Sequence, residues 1–188
     1  MKISKQLNVV IDTENGAVHA MPIGQAVFEK YFEEIGATFD SLYTMIGALA
    51  APRVAALELR KICQARGTWE GEQGVQQGLM NEIFRLANYV HLDAEKGPGW
   101  QVMPLYDAIQ QGKIGDREKG EVANALVFFT CASSMHRADG LTFALHSMTQ
   151  YWGGQTTSLD CTEYAASLPI PTAAASSGEK ATPSSTGS

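Results

Sequence analysis

Between Val27 and Ile46 the chain repeats apolar side chains at three- and four-residue spacing: Val27, Phe28, Tyr31, Phe32, Ile35, Phe39, Leu42, Tyr43 and Ile46. That period turns a wide apolar arc to one side of a long helix, and a helix greasy over so wide an arc must be covered by other elements. Gly36 and Gly47 interrupt the stripe and are the expected places for a bend.

The surrounding segments extend the helical theme. Pro52 can open a second helix, because its missing N–H lies where helices leave donors free. Val54, Leu57, Ile62 and the stem of Arg60 lie along it, and Gly67 ends it. The glycine-rich stretch "GTWEGEQGVQQG" (67–78) reads as a loop. A third helix is expected near 76–92, with Leu79, Ile83, Leu86, Ala87 and Val90 as its stripe. "EKGPGW" (95–100) is a break, and Pro104 opens the short helix "PLYDAIQQG". Asp116 can cap a long helix running to about residue 137, and "LTFALHSMTQYW" (141–152) forms another. Asp160 and Glu163 make a capping box for a last short helix ending before Pro169.

The N-terminal part differs. "LNVVID" (7–12) and "AVHAMPI" (17–23) flank "TENG" and read as a β-hairpin, with Asn15-Gly16 supplying the positive φ of a tight turn. Val10, Val18 and Ala20 are placed on one face, although the alternation is imperfect. Two strands alone are marginal in water, so the hairpin must pack on the helices or pair with another chain through its edge. The expected fold is therefore mainly α: a helical domain over residues 1–168, of five to six helices, with an N-terminal β-hairpin (7–23). Residues 169–188 form a disordered tail rich in Ser, Thr, Pro and Ala, since ordering them would cost chain entropy with little apolar burial in return.

No segment carries a strong chemical signature. "FFTCASSMHRADG" (128–140) holds Cys131, Ser133, Ser134 and His136, the residue types of nucleophilic catalysis. On a helix Cys131 and His136 diverge around the axis, and no Gly-x-Ser-x-Gly elbow occurs. The better account makes Cys131 a small buried hydrophobe and puts His136 and Arg137 at a helix C-terminus. His19, His91, His136 and His146 show no HxxxH spacing, so no metal ligand is assigned. Neither "GTWEGEQG" nor "GPGW" fits a phosphate-binding loop, and Glu33, Glu34, Glu70 and Glu72 read as solvated carboxylates. No catalytic residue and no cofactor is assigned. Cys63, Cys131 and Cys161 form no CxxC pair and suggest free thiols in a reducing compartment. The net charge of −6 argues against nucleic acid or an anionic membrane as partner. The absence of a signal-like apolar start leads to the expectation of a soluble intracellular protein. Trp69, Trp100 and Trp152 stand beside glycines at element ends, as core plugs or binding anchors.

Three stretches together resemble the bacteriophage tail assembly chaperones. They are "VHAMPIGQAVFEKYF", then "APRVAALELRKIC" followed by a tryptophan and "GLMNEIFRLANYV", and finally "EVANALVFFTCASSMHRA" with "YWGGQTTSLDCTEYAASLPIPTAAASSG". The resemblance is one of pattern and segment order over nearly the whole chain. It implies a mostly helical, non-enzymatic protein of the host cell cytoplasm, absent from the mature virion. Such proteins bind the tape measure protein and keep it soluble while the tail tube polymerises. It also implies the tail tube protein and a frameshifted longer form of the chain as further partners, with the polar tail as the linker. Phe28, Tyr31, Phe32, Phe39, Trp100 and Trp152 are the candidate partner-binding residues. The rival expectations are a structural tail-completion or head–tail connector protein of the virion, and an enzyme using Cys131 or His136.

Overall fold

The computed structural model describes residues 7–46, 50–93, 99–135 and 154–170. The hairpin is present: β1 (Asn8–Thr13) pairs with β2 (Gly16–Ala20) in antiparallel register, Ile11 opposite Val18. It does not stand as an accessory to helices. Three further strands join it, β3 (Ala87–Leu92), β4 (Trp100–Pro104) and β5 (Gln155–Thr157). Together they make a five-stranded antiparallel sheet of order β4-β3-β2-β1-β5. The fold is thus mixed α/β, not mainly α.

The helices are α1 (Gln25–Lys30), α2 (Phe32–Ser41), α3 (Ala51–Arg66), α4 (Asn81–Arg85), α5 (Leu105–Gln110), α6 (Asp116–Met135) and α7 (Cys161–Ser167). Looser π-helical turns extend α2 through Leu42–Ile46 and precede α4 at Gln76–Met80. The long first helix is broken at Tyr31, whose backbone leaves the helical region at φ −114° and ψ 22°. The bend is not at Gly36, which lies inside α2, and Gly47 is outside the described residues. The expected helix 76–92 stops at Arg85. Leu86 turns the chain, and "ANYVHL" continues as β3 beside β2. Asp116, expected as a cap, is instead the first residue of α6, while other terminators act as their chemistry predicts. Pro52 sits in the first turn of α3, and Gly67 closes it in the left-handed conformation at φ 70°. Pro104 immediately precedes α5. At α7 the Asp160 carboxylate accepts from Glu163 N at 2.8 Å while Glu163 accepts from Asp160 N at 3.2 Å. The proposed helix 141–152, most of "EKGPGW" and the tail from residue 171 fall outside the described residues.

Both faces of the sheet are covered. Partners in an antiparallel register share a face, so Val9, Ile11, Val18, Ala20, Ala87 and Tyr89 look one way. They enter the main core with Ile35, Leu42, Ala55, Leu59, Cys63, Leu126 and Phe129 from the helices. Val10, Ala17 and Val90 look the other way and pack under Tyr164 and Ala165 of α7. Val10 is therefore on the opposite face from Val18 and Ala20, and the alternation was imperfect because neither face is solvated. Helix α6 runs through the main core with an unbroken buried stretch from Ala125 to Ala132. On α3 the buried stripe is Ala51, Ala55, Leu59 and Cys63, and Leu57 is 62% exposed. Small residues won the packed face there because α3 lies close against α6; Ala56 N donates to Asn124 Oδ1 at 2.9 Å across that interface.

The hairpin turn is made by Glu14 and Asn15, and neither Asn15 nor Gly16 has a positive φ. Gly16 is required for another reason: a Cβ there would overlap the Val90 carbonyl oxygen and press on the Tyr89 ring at 3.1 Å. Gly16→Val should lower stability by about 1–3 kcal/mol, the usual cost of overpacking. The change would appear as a lower urea midpoint at unchanged slope. An unaltered midpoint would contradict the β2–β3 register.

Candidate functional site

The structure brings two of the six candidate aromatics together at the surface. Phe28 on α1 and Phe32 at the start of α2 are four residues apart, and their rings meet edge to face at 5.6 Å between centroids. Phe28 is half-buried against the core, while Phe32 is 52% exposed. Phe32 borders a surface cleft of about 580 Å³ formed with Glu33, Glu34, Gly36, Ala37, Arg66 and Thr68. Arg66 spans from the end of α3 to donate to Glu33 O at 3.3 Å. An added Cβ on Gly36 would meet nothing within 4 Å, so this stretch of α2 lies open.

A second cleft of about 330 Å³ adjoins it, lined by Lys30, Glu34, Thr68, Glu70 and Gln73 among others. Its wall is the "GTWEGEQG" loop. Amides of this loop and of the turn after it are spent on the loop itself: Gly74 N on Gly71 O, Val75 N on Thr68 O, Gln76 N on Trp69 O, at 2.9–3.0 Å. Glu33, Glu34 and Glu70 line the two clefts together with Lys30 and Arg66, so their lining carries both signs of charge. An exposed aromatic braced by a second one, beside charged side chains of both signs, suits an apolar partner surface with polar flanks.

The other candidates lie elsewhere. Tyr31 is only 4% exposed; its hydroxyl lies against Gly78, where any Cβ would collide with it, and it has no hydrogen-bond partner. It belongs to the core, not to a partner surface. Phe39 is half-buried and its ring sits 4.5 Å from Tyr43, which in turn stacks towards Phe128 at 6.3 Å. Trp100 is on the opposite face of the sheet, partly buried beside α7, and donates through Nε1 to Pro169 O at 3.1 Å. Trp152 lies outside the described residues. Trp69 plugs the core edge under the Arg60 guanidinium, 5.8 Å from its ring centre.

The serine–cysteine stretch takes the bland role. Cys131 is 2% exposed, and burial, with a smaller contribution from Cys63, pushes its thiol up to about 12. A protonated thiol sealed in the core is a poor nucleophile. Ser133 spends its hydroxyl on Thr130 O at 3.3 Å, and His136 lies outside the described residues. Among the described residues no group of three or more His, Cys, Asp or Glu side chains could hold a metal ion. His19 and His91 are on opposite faces of the sheet.

Two features were not singled out from the sequence. One is a cleft of about 460 Å³ lined by Asp12, Arg53, Arg117, Glu118 and Glu121 among others. Its charges are largely matched from within: Arg117 pairs with Glu121 at 3.3 Å, and the Glu118 carboxylate accepts from Glu14 N and Gly115 N. Burial holds the Asp12 carboxyl above the usual carboxylate range. The other is the buried polar pair Asn8 and His19 beneath α7. The available signal was a polar residue within each otherwise apolar strand, "NVVI" and "AVHA". No protein-family model, curated protein or solved structure matches the chain.

The division between surface and core aromatics can be measured. Phe32→Ala should change stability by less than about 1 kcal/mol, as exposed positions do. Tyr31→Ala should cost about 3–5 kcal/mol, the range for a large buried aromatic. Comparable losses in chemical denaturation would show that Phe32 serves the core.

Proposed function

We propose that this chain is a non-enzymatic bacteriophage tail assembly chaperone that binds the tape measure protein and holds it soluble while the tail tube polymerises. The proposal rests on the order of segments in the sequence. The one structural observation that supports it is the exposed Phe32, in edge-to-face contact with Phe28 and bordering a surface cleft that Glu33, Glu34 and Arg66 also line. An ordered aromatic at the surface has already lost much of its rotamer freedom, so a partner that covers it gains apolar burial at a reduced entropic cost. The client chemistry that fits is an amphipathic helix with apolar anchors at three- and four-residue spacing and polar flanks. A long helical client presents such a face many times. Weak individual contacts then sum through avidity, yet each yields singly to an incoming tube subunit. Release by competition needs no nucleotide. On this reading the protein works in the host cytoplasm and leaves before the virion is complete.

Co-expression with the tape measure protein tests the proposal. The client should co-purify with this chain. The double variant Phe28→Ala/Phe32→Ala should keep its circular dichroism spectrum but lose capture by roughly tenfold or more, as for an aromatic hot spot. A tape measure protein that is equally soluble and monodisperse without this chain would refute the chaperone role. Recovery of the chain in purified virions would point instead to a structural tail subunit.

A further inference from the structure

We infer that residues 154–170 form a strap across the outer face of the sheet, and that protonation of His19 beneath it releases the strap. The inference stands independently of the client. The strap's own ladder is short: β5 meets β1 at Asn8–Thr157, Val9–Thr156 and Val10–Gln155 only. Its central fastening is the Leu159 carbonyl oxygen, which accepts from Asn8 Nδ2 at 2.8 Å and pairs with His19 Nε2 at 3.1 Å. Tyr164 and Ala165 of α7 then close over Val10, Ala17 and Val90, with the Tyr164 ring 5.7 Å from the imidazole.

A carbonyl oxygen only accepts, so Nε2 must carry the proton and Nδ1 is left as a bare lone pair. His19 is 1% exposed, and its Nδ1 is buried without a partner. A second proton must therefore enter on Nδ1, creating a charge in a site closed to water. The groups facing the ring from each packed element do not remove that cost. From the strap, Asp160 favours the charge; the Cys161 thiol, pushed up to about 11, and the Tyr164 phenol, raised by burial, stay neutral through the acid range. From the neighbouring strands come the uncharged amides of Asn8 and Asn88, while Asp12 on the same face of β1 acts on Tyr164. Burial outweighs the pull of the Leu159 carbonyl, of Asp160 and of the residue's own backbone, and holds the imidazole below its ordinary value.

The sign follows from linkage. As pH falls below about 6.5, the released form takes up a proton that the fastened form refuses, so the equilibrium moves towards release. Above that value His19 contributes no pH dependence. Asp12, raised by burial, acts with the opposite sign, because there the folded form takes up the proton more readily than the released one.

Hydrogen exchange on the full chain at about pH 7.5 and about pH 5.5, corrected for intrinsic rates, tests the inference across the histidine range. Protection at residues 155–157 and 161–167 should fall several-fold at the lower pH, while amides of Val18 and Tyr89 hold. His19→Gln keeps a donor for the Leu159 carbonyl and cannot be protonated, and it leaves His91, His136 and His146 in place. In that variant the pH effect should vanish. Equal strap protection at both pH values, or a pH effect that survives in the variant, would overturn the inference. Imidazole nitrogen spectra of the unchanged chain decide the matter even where the variant does not fold. They should show the Nε2–H tautomer at the higher pH and a charged ring appearing in step with loss of strap protection. A charged His19 under an intact strap would overturn it as well.

Discussion

Strands β1 and β2 bury apolar side chains on both faces, and the helices and the C-terminal segment cover one face each. Ile11 and Val18 look into the helices, while Val10 and Ala17 look away from them. A hairpin of this kind has no soluble side, and two strands cannot hold each other in water. The chain answers in order. The segment from α1 to α4 crosses the inner face and returns to lay β3 beside β2, where Met21 N donates to Leu86 O at 3.1 Å. Helix α6 then fills the middle of the core, and β5 with α7 closes the outer face.

The inner layer is packed tightly because its contact residues are small. Ala51, Ala55 and Cys63 on α3 and Ala125 and Ala132 on α6 are all buried, with Leu59 and Phe129 filling the spaces between. Tyr31 belongs to the same logic. The backbone departs from helix at that residue and the ring turns inward to rest on Gly78, while Phe28 and Phe32, on either side of it, stay at the surface. The candidate partner surface is in this sense a by-product of how one tyrosine is seated.

Much of this was legible, and the failures share a cause. Caps and breakers act through local chemistry, so Pro52, Gly67, Pro104 and the Asp160–Glu163 box could be read directly. The strand β3 could not. Leu79, Ile83, Leu86, Ala87 and Val90 satisfy a helical period although the last two belong to a strand buried on both faces, which carries no alternation of its own. Three-residue β5 is too short to leave a pattern. Leu57 seemed a core residue because it is apolar, yet close approach of α3 and α6 favoured Ala55 and Leu59. For the site, the pairing of Phe28 with Phe32 follows from four-residue spacing alone. The burial of Tyr31 depends on Gly78, forty-seven positions away, and the separation of Trp100 depends on which face of β4 it occupies. Contacts of that kind are set by topology, and topology was the part misread.

The sheet also divides the molecule into two regions that can act separately. What supports Phe32 is Phe28 and the α2–α3 packing on the inner side. What holds the strap is Asn8, His19, Val10, Ala17 and Val90 on the outer side. Among the described residues the two sets are joined through neighbouring residues of the same strands, such as Val18 beside His19. Loss of the strap removes β5 from the edge of β1, but it leaves β1, β2 and β3 paired and their inner face buried. Opening the strap uncovers Val10, Ala17 and Val90 but leaves the main core covered, which suits a low-stability unit. On the proposed reading, a client at Phe32 and the strap share no side chain among the described residues, so neither has a direct means there of shifting the other's equilibrium. Coupling between them would require β2 itself to have two arrangements.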